Sequence, residues 1–132
     1  MAPNLRSVDA GDTAACGHSG VPITDDLSAL LDRAEVVIDF SSPTATLEHL
    51  RAVAQHRRAM VIGTTGFSPS ALDELKSLAK QIPCVFSPNM SVGVNLLYKV
   101  LGEMARTLGD DYDIEVIEAH HRLKKDAPSG TA

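Results

Sequence analysis

From Asp25 onward the apolar positions change period several times, and the changes mark out elements. Leu27, Leu30 and Leu31 fall at helical spacing and predict a short amphipathic helix over 25–34. VVIDF, Val36 to Phe40, is an apolar, β-branched run of strand length. Ser42-Pro43 then supplies an N-cap and a favoured first helical residue, opening a helix to about Arg57. MVIG, Met60 to Gly63, predicts a second buried strand. Ser68-Pro69 repeats the cap-and-proline device ahead of a stripe of Leu72, Leu75, Leu78 and Ala79. CVFS, Cys84 to Ser87, is the third strand. Short apolar strands alternating with helices predict an α/β fold with a parallel sheet, half of a doubly wound, Rossmann-type nucleotide-binding domain.

After Asn89 the pattern changes. Ser91 to Leu108 predicts a longer helix stopped at Gly109. DIEVIEAHH then alternates, with Ile114, Val116, Glu118 and His120 on one side and Glu115, Ile117 and His121 on the other, as expected of a strand with one wetter face. A boundary is therefore expected near Pro88 to Met90. Residues 25–89 form a partial dinucleotide-binding domain, and 90–132 the start of a mixed-sheet domain. Residues 1–24 carry no sustained period and read as tail or loop. The Gly-rich loop that opens a dinucleotide fold is missing: Gly17 and Gly20 in CGHSGVP have neither a strand before them nor a helix start after.

Composition narrows the function classes. A net charge of −5, with 4% aromatics and no Trp, argues against nucleic-acid binding. No apolar run approaches membrane-spanning length and no signal-peptide core is visible, so a cytoplasmic protein is expected. Cys16 and Cys84 lack metal-type spacing and read as reduced thiols. His49 and His56, seven apart on one helix, have no carboxylate or cysteine at ligand spacing and read as surface residues; His18 lies in the tail. No metal site is expected.

Ligands of open α/β sheets sit beyond the carboxyl ends of the strands. Three such ends occur: Phe40-Ser41-Ser42, Gly63-Thr64-Thr65-Gly66 and Ser87-Pro88-Asn89. Ser41, Gly63, Thr65 and Asn89 should therefore line one edge of the sheet. The glycines of GTTG allow close backbone approach, and its two hydroxyls can bond an amide or ribose; a plain strand-to-helix turn is the other reading. The last segment, EAHHRLKKDAPSGTA, combines adjacent histidines, adjacent lysines and a Ser-Gly-Thr turn. Histidine titrates near neutrality, lysine is a compact cation, and unpaired amides opening a helix bind anions. Those are the parts needed to handle a small carboxylate.

This segment closely resembles the signature of the 4-hydroxy-tetrahydrodipicolinate reductase (dihydrodipicolinate reductase) family, and the resemblance runs back to about Leu27. It implies reduction of a small cyclic dicarboxylate by NADH or NADPH, and a homotetramer joined through the second domains. It assigns acid/base duty to His120, a second catalytic role to Lys124, and substrate contacts to His121, Gly130 and Thr131. It also places Gly63, Thr64 and Thr65, with Ser87, Pro88, Asn89 and Met90, beside the nicotinamide half of the cofactor, and Phe40 and Ser41 are counted with them as cofactor-binding residues. Arg122 and Lys125 read as solvated or secondary charges. On this reading the chain lacks the first βαβ unit, including the segment that separates NAD from NADP, and stops inside the signature helix. A related amino-acid-type nicotinamide dehydrogenase, or a non-catalytic chain, are the alternatives; the spacing from HH to K, then DAPSGT, argues against the first.

Overall fold

The computed structural model of the chain describes residues 5–124 and 128–132. It divides into two compact units, Met1–Glu35 and Val36–Ala132.

The first unit is held by polar staples. Asp9 caps the short helix α1 (Ala10–Thr13), its carboxylate accepting from the amides of Gly11 at 2.8 Å and Asp12 at 3.1 Å. The same carboxylate accepts from the Ser19 amide at 2.9 Å and the Ser19 hydroxyl at 3.0 Å. The amide of Ala10 donates to Val21 O, and those of Ile23 and Ser7 pair with Val8 O and Ile23 O. The stretch read from sequence as tail or loop is thus folded over its described residues. One aspartate organising ten residues leaves no hydrophobic period to detect. The Ser19 amide leads in holding the Asp9 carboxyl down at about 2, against the opposing cost of burial, with Asp12, the Ser19 hydroxyl and Gly11 adding to it. His18 Nδ1 stands 3.0 Å from Asp12, so Asp9, Asp12 and His18 lie within 4.8 Å of one another although sequence spacing shows no ligand pattern. The helix expected over 25–34 is only the single turn α2 (Ser28–Leu31), with Leu31 buried.

The second unit contains a three-stranded parallel sheet in the order β1-β2-β3: β1 (Val36–Asp39), β2 (Ala59–Ile62) and β3 (Cys84–Phe86). Helix α3 (Pro43–Gln55) joins the first two strands and α4 (Pro69–Ala79) the last two. Both begin at the predicted Ser-Pro pairs. Ser68 caps α4 by accepting from the Ala71 amide, whereas the Ser42 side chain makes no cap bond. The core lies between the helices and one face of the sheet: Leu47, Leu50 and Val53 of α3, Leu75 of α4, Met60 and Ile62 of β2, and Ile82. Burying a side chain of this size contributes about 1.5–3 kcal/mol.

The opposite face is bare. Register pairs Ile38 with Val61 and Val61 with Val85, so these share a face; Val36, Ile38 and Val85 there are exposed. Strands of an all-parallel sheet are apolar on both faces because helices normally cover both. Among the described residues, helices cover only one. Helix α5 (Val92–Leu108) is capped by Ser91 and stops at Gly109, whose φ of 70° suits glycine. It buries none of its side chains, leaving Leu96, Leu97, Leu101 and Met104 exposed.

The strand expected from the alternation of DIEVIEAHH is absent: after the 3-10 turn Gly109–Asp111, residues 114–121 have no regular structure. Alternation sets which side chains share a face, but a strand exists only with a partner for its amides and carbonyls. No described segment pairs with this one. No described helix is long and apolar enough to cross a membrane.

Candidate active site at the carboxyl edge of the sheet

Because the strands are parallel, the three loops that follow them leave from one edge. The Gly63 amide donates to Asp39 O at 2.9 Å and the Ser87 amide to Ile62 O at 3.2 Å, extending the ladder into the loops. Ser41, Gly63, Thr65 and Asn89 therefore lie along that edge. The Phe40 ring lies directly over the α-carbon of Gly63, where any β-carbon would collide with it. This close approach needs glycine, and Phe40 remains 64% exposed. In the third loop the Ser87 hydroxyl donates to Asn89 O at 2.7 Å, Asn89 Oδ1 accepts from the Ser91 amide at 2.8 Å, and Met90 is exposed.

Beneath the loops is a polar knot that sequence reasoning missed. Asp39, the last residue of β1, is 4% exposed. Its Oδ1 accepts from the Ser41 amide at 2.8 Å, the Ser41 hydroxyl at 2.6 Å and the Thr46 hydroxyl at 3.3 Å; its Oδ2 lies 2.7 Å from His49 Nδ1. The Thr46 hydroxyl is also 2.9 Å from Thr64 Oγ1, which joins the second loop to the same cluster. His49 is thus not a plain surface residue. Its carboxylate partner is ten positions away in sequence, on a different element, where no ligand-spacing rule looks. The available signal was an aspartate inside an apolar strand, since buried aspartates are rare without partners. Thr64 also departs from expectation: its hydroxyl, read as a cofactor donor, is buried and turned towards Thr46 and Asp39. A buried carboxylate needs donors, and this one recruits it.

The Ser-Gly-Thr turn meets the same edge. Gly130 packs so closely against Pro88 and Thr65 that a β-carbon would lie 3.0 Å and 3.2 Å from their side chains. Asn89 Nδ2 donates to the Thr131 hydroxyl at 3.0 Å. Residues assigned by resemblance to cofactor and to substrate are therefore in direct contact. The segment closes as a turn, the Ala132 amide donating to Ser129 O. Both Glu118 carboxylate oxygens accept from the Ser129 amide, at 2.9 and 3.1 Å, and the Thr131 amide donates to Ser129 Oγ. An internal carboxylate takes the donor that an external anion would want. Glu118 Oε2 is also 3.3 Å from His120 Nδ1, linking the histidine to the turn. His121 Nδ1 accepts from the Leu123 amide, and the Lys124 amide closes the same turn on His121 O. Lys124 is half-buried. Lys125, with Asp126 and Ala127, lies outside the described residues.

Burial pushes the Asp39 carboxyl up, but the Ser41 hydroxyl, His49 and the Ser41 amide together outweigh it and leave it below the ordinary carboxylate value. Burial raises the Cys84 thiol. Because Asp39 is more acidic folded than unfolded, the unfolded chain binds more protons in acid, and stability rises with pH there. The Asp39 contribution is complete above the model-peptide value of 3.8 and fades as pH falls through its lower folded value. Urea midpoints measured from pH 5 downward should fall for wild type and fall less steeply for Asp39→Asn. Parallel acid limbs would show that Asp39 carries no such linkage.

An open parallel sheet with contact loops gathered at its carboxyl edge is the architecture of an α/β protein whose ligand sites lie beyond that edge. Comparison with known proteins gives the family. Residues 2–90 match the family model described as dihydrodipicolinate reductase, N-terminus, and residues 93–132 match dihydrodipicolinate reductase, C-terminus. The chain belongs to the dihydrodipicolinate reductase family. The match reaches much further forward than Leu27, through the first unit. The chain is 54% identical over 128 residues to the 4-hydroxy-tetrahydrodipicolinate reductase of Geobacter metallireducens, covering 97% of this chain and 48% of that protein. It is 56% identical over 129 residues to that of Hahella chejuensis, covering 98% and 48%. A dipicolinate-bound dihydrodipicolinate reductase from Paenisporosarcina sp. TG-14 superposes with a TM-score of 0.62 at 32% identity, covering 96% of this chain and 50% of that one. The chain spans about half the length of the relatives it matches.

Proposed function

We propose that this chain carries the reaction edge of an NADH- or NADPH-dependent reductase that converts 4-hydroxy-tetrahydrodipicolinate to tetrahydrodipicolinate in the diaminopimelate route to lysine. The observation that carries the reading is the junction of Gly130 and Thr131 with Thr65, Pro88 and Asn89. A reductase must bring its reductant and its acceptor within contact, and this junction brings together the loops assigned to each. The same family name on relatives sharing more than half of their matched residues supports it.

The loops suit the nicotinamide half of the cofactor. Phe40 over Gly63 offers an exposed aromatic surface, while Ser41 and the backbone of Gly63, Thr65 and Ser87 to Met90 offer polar contacts along the edge. Thr64 contributes through its backbone, its hydroxyl being committed inward. Hydride is what the bound reduced nicotinamide supplies; the chain's own work is orientation, charge and protonation. His120 is the proton donor, its Nδ1 beside Glu118 and its Nε2 left for substrate. Lys124 balances anionic charge on the substrate, and His121 with Gly130 and Thr131 completes the binding surface for a carboxylate. For that carboxylate to reach the Ser129 amide, Glu118 must yield it.

We place the change of domain at Pro88 to Met90, at the end of the first matched family segment, and a cytoplasmic homotetramer is the assembly that follows from the family resemblance. The bare face of the sheet and the apolar stripe of α5 are the surfaces on which further domain structure and subunit contacts would pack. The test is turnover by a full-length form, made by joining this chain to the flanking segments of the Geobacter metallireducens relative. Cofactor oxidation that depends on enzymatically generated 4-hydroxy-tetrahydrodipicolinate supports the reading. A soluble, folded protein with no such oxidation refutes it.

A further inference from the structure

We propose that His49 is a positioning residue for the cofactor edge, acting through Asp39 on the loops that carry Ser41 and Thr64; this rests on reading that edge as the cofactor site. His49 lies on α3 and meets Asp39, not the loop residues assigned to ligand. It reaches the loops through one group. Asp39 Oδ2 is 2.7 Å from His49 Nδ1, while Oδ1 gathers the Ser41 amide, the Ser41 hydroxyl and the Thr46 hydroxyl. Thr46 passes the connection to Thr64 at 2.9 Å. The first loop, the second loop and the helix between them are therefore tied to a single carboxylate.

The orientation of that carboxylate decides where the loops stand. A carboxylate can rotate about its Cβ–Cγ bond, and a strong partner on Oδ2 fixes the rotation, so that Oδ1 meets Ser41 and Thr46 together. Thr46 and His49 are three residues apart on α3 and present their polar groups to the same carboxylate. Loops held in their bound arrangement lose less conformational freedom when ligand arrives, which shows as affinity rather than as chemistry. Removing His49 should leave Asp39 bonded but free to turn, loosening Ser41 and Thr64 at once. A histidine that served fold stability alone would alter melting without singling out one ligand.

The full-length form is prepared as wild type, His49→Ala and His49→Gln; His49 has a side chain 38% exposed, so the alanine leaves no sealed cavity. NADH and NADPH dissociation constants are measured by fluorescence titration, beside kcat and the substrate KM at saturating cofactor. The alanine variant is expected to bind cofactor about threefold to tenfold more weakly, the scale of one hydrogen bond, with kcat and substrate KM nearly unchanged. The glutamine amide can donate to Asp39 Oδ2 and should restore most of the affinity. An unchanged cofactor constant in His49→Ala overturns the proposal, as does an equal loss in both variants. Wild type that binds neither cofactor removes the reading beneath it and the proposal together.

Discussion

In the full-length form, His120→Gln and Lys124→Ala should each lower kcat by roughly 10²-fold or more, the scale of losing a positioned acid or a charge that acts in the transition state. Cofactor affinity should stay near wild type, because both residues are assigned to the substrate side of the junction and act on charge and protons that move during reaction. Both groups are assigned to protonation and to charge that develops during reaction, so the loss belongs in kcat and kcat/KM together. Thr131→Val gives the contrast. Its hydroxyl accepts from Asn89 and sits beside the Ser129 turn, where a ground-state carboxylate contact raises the substrate KM instead. Steady-state kinetics on the three variants separates the roles, and near-normal turnover in both His120→Gln and Lys124→Ala would overturn the assignment.

Leu50→Ala should cost the chain about 2–5 kcal/mol of stability, the range for deleting most of a buried leucine side chain. Leu50 is fully buried in α3, among the side chains that separate helices from sheet. With one sheet face bare, the described core is small and offers few neighbours able to close a cavity. Urea unfolding followed by circular dichroism measures the loss. A change below about 1 kcal/mol would mean that Leu50 is not packed between helix and sheet.

Elements with their own local signals are legible in the sequence. The three strands, the Ser-Pro starts of α3 and α4, and the Gly109 stop of α5 all fall within a residue or two of where period and caps place them. The gathering of Ser41, Gly63, Thr65 and Asn89 follows from the same alternation, since parallel strands must send their following loops from one edge. Polar organisation was not legible. Asp39 with His49, Glu118 with Ser129, and Asp9 with Ser19 each join residues that no periodicity relates. The segment 114–121 failed for the converse reason: its alternation is genuine, but a ladder needs a second strand.

The sequence by itself determined the α/β order of the second unit, the parallel sheet and the chemical types gathered near its carboxyl end. Each of these depends on local backbone preference and on which residues avoid water. Only the tertiary structure decided what the polar groups do to one another: that Thr64 faces inward, that His49 serves Asp39, and that Glu118 already occupies the Ser129 amide. Hydrogen bonds discriminate on the scale of tenths of an ångström and on direction, and their partners here lie up to 42 positions apart. Hydrophobic burial is tolerant of such detail and so leaves its pattern in the chain, whereas a buried carboxylate takes whichever donors the packed elements bring within reach.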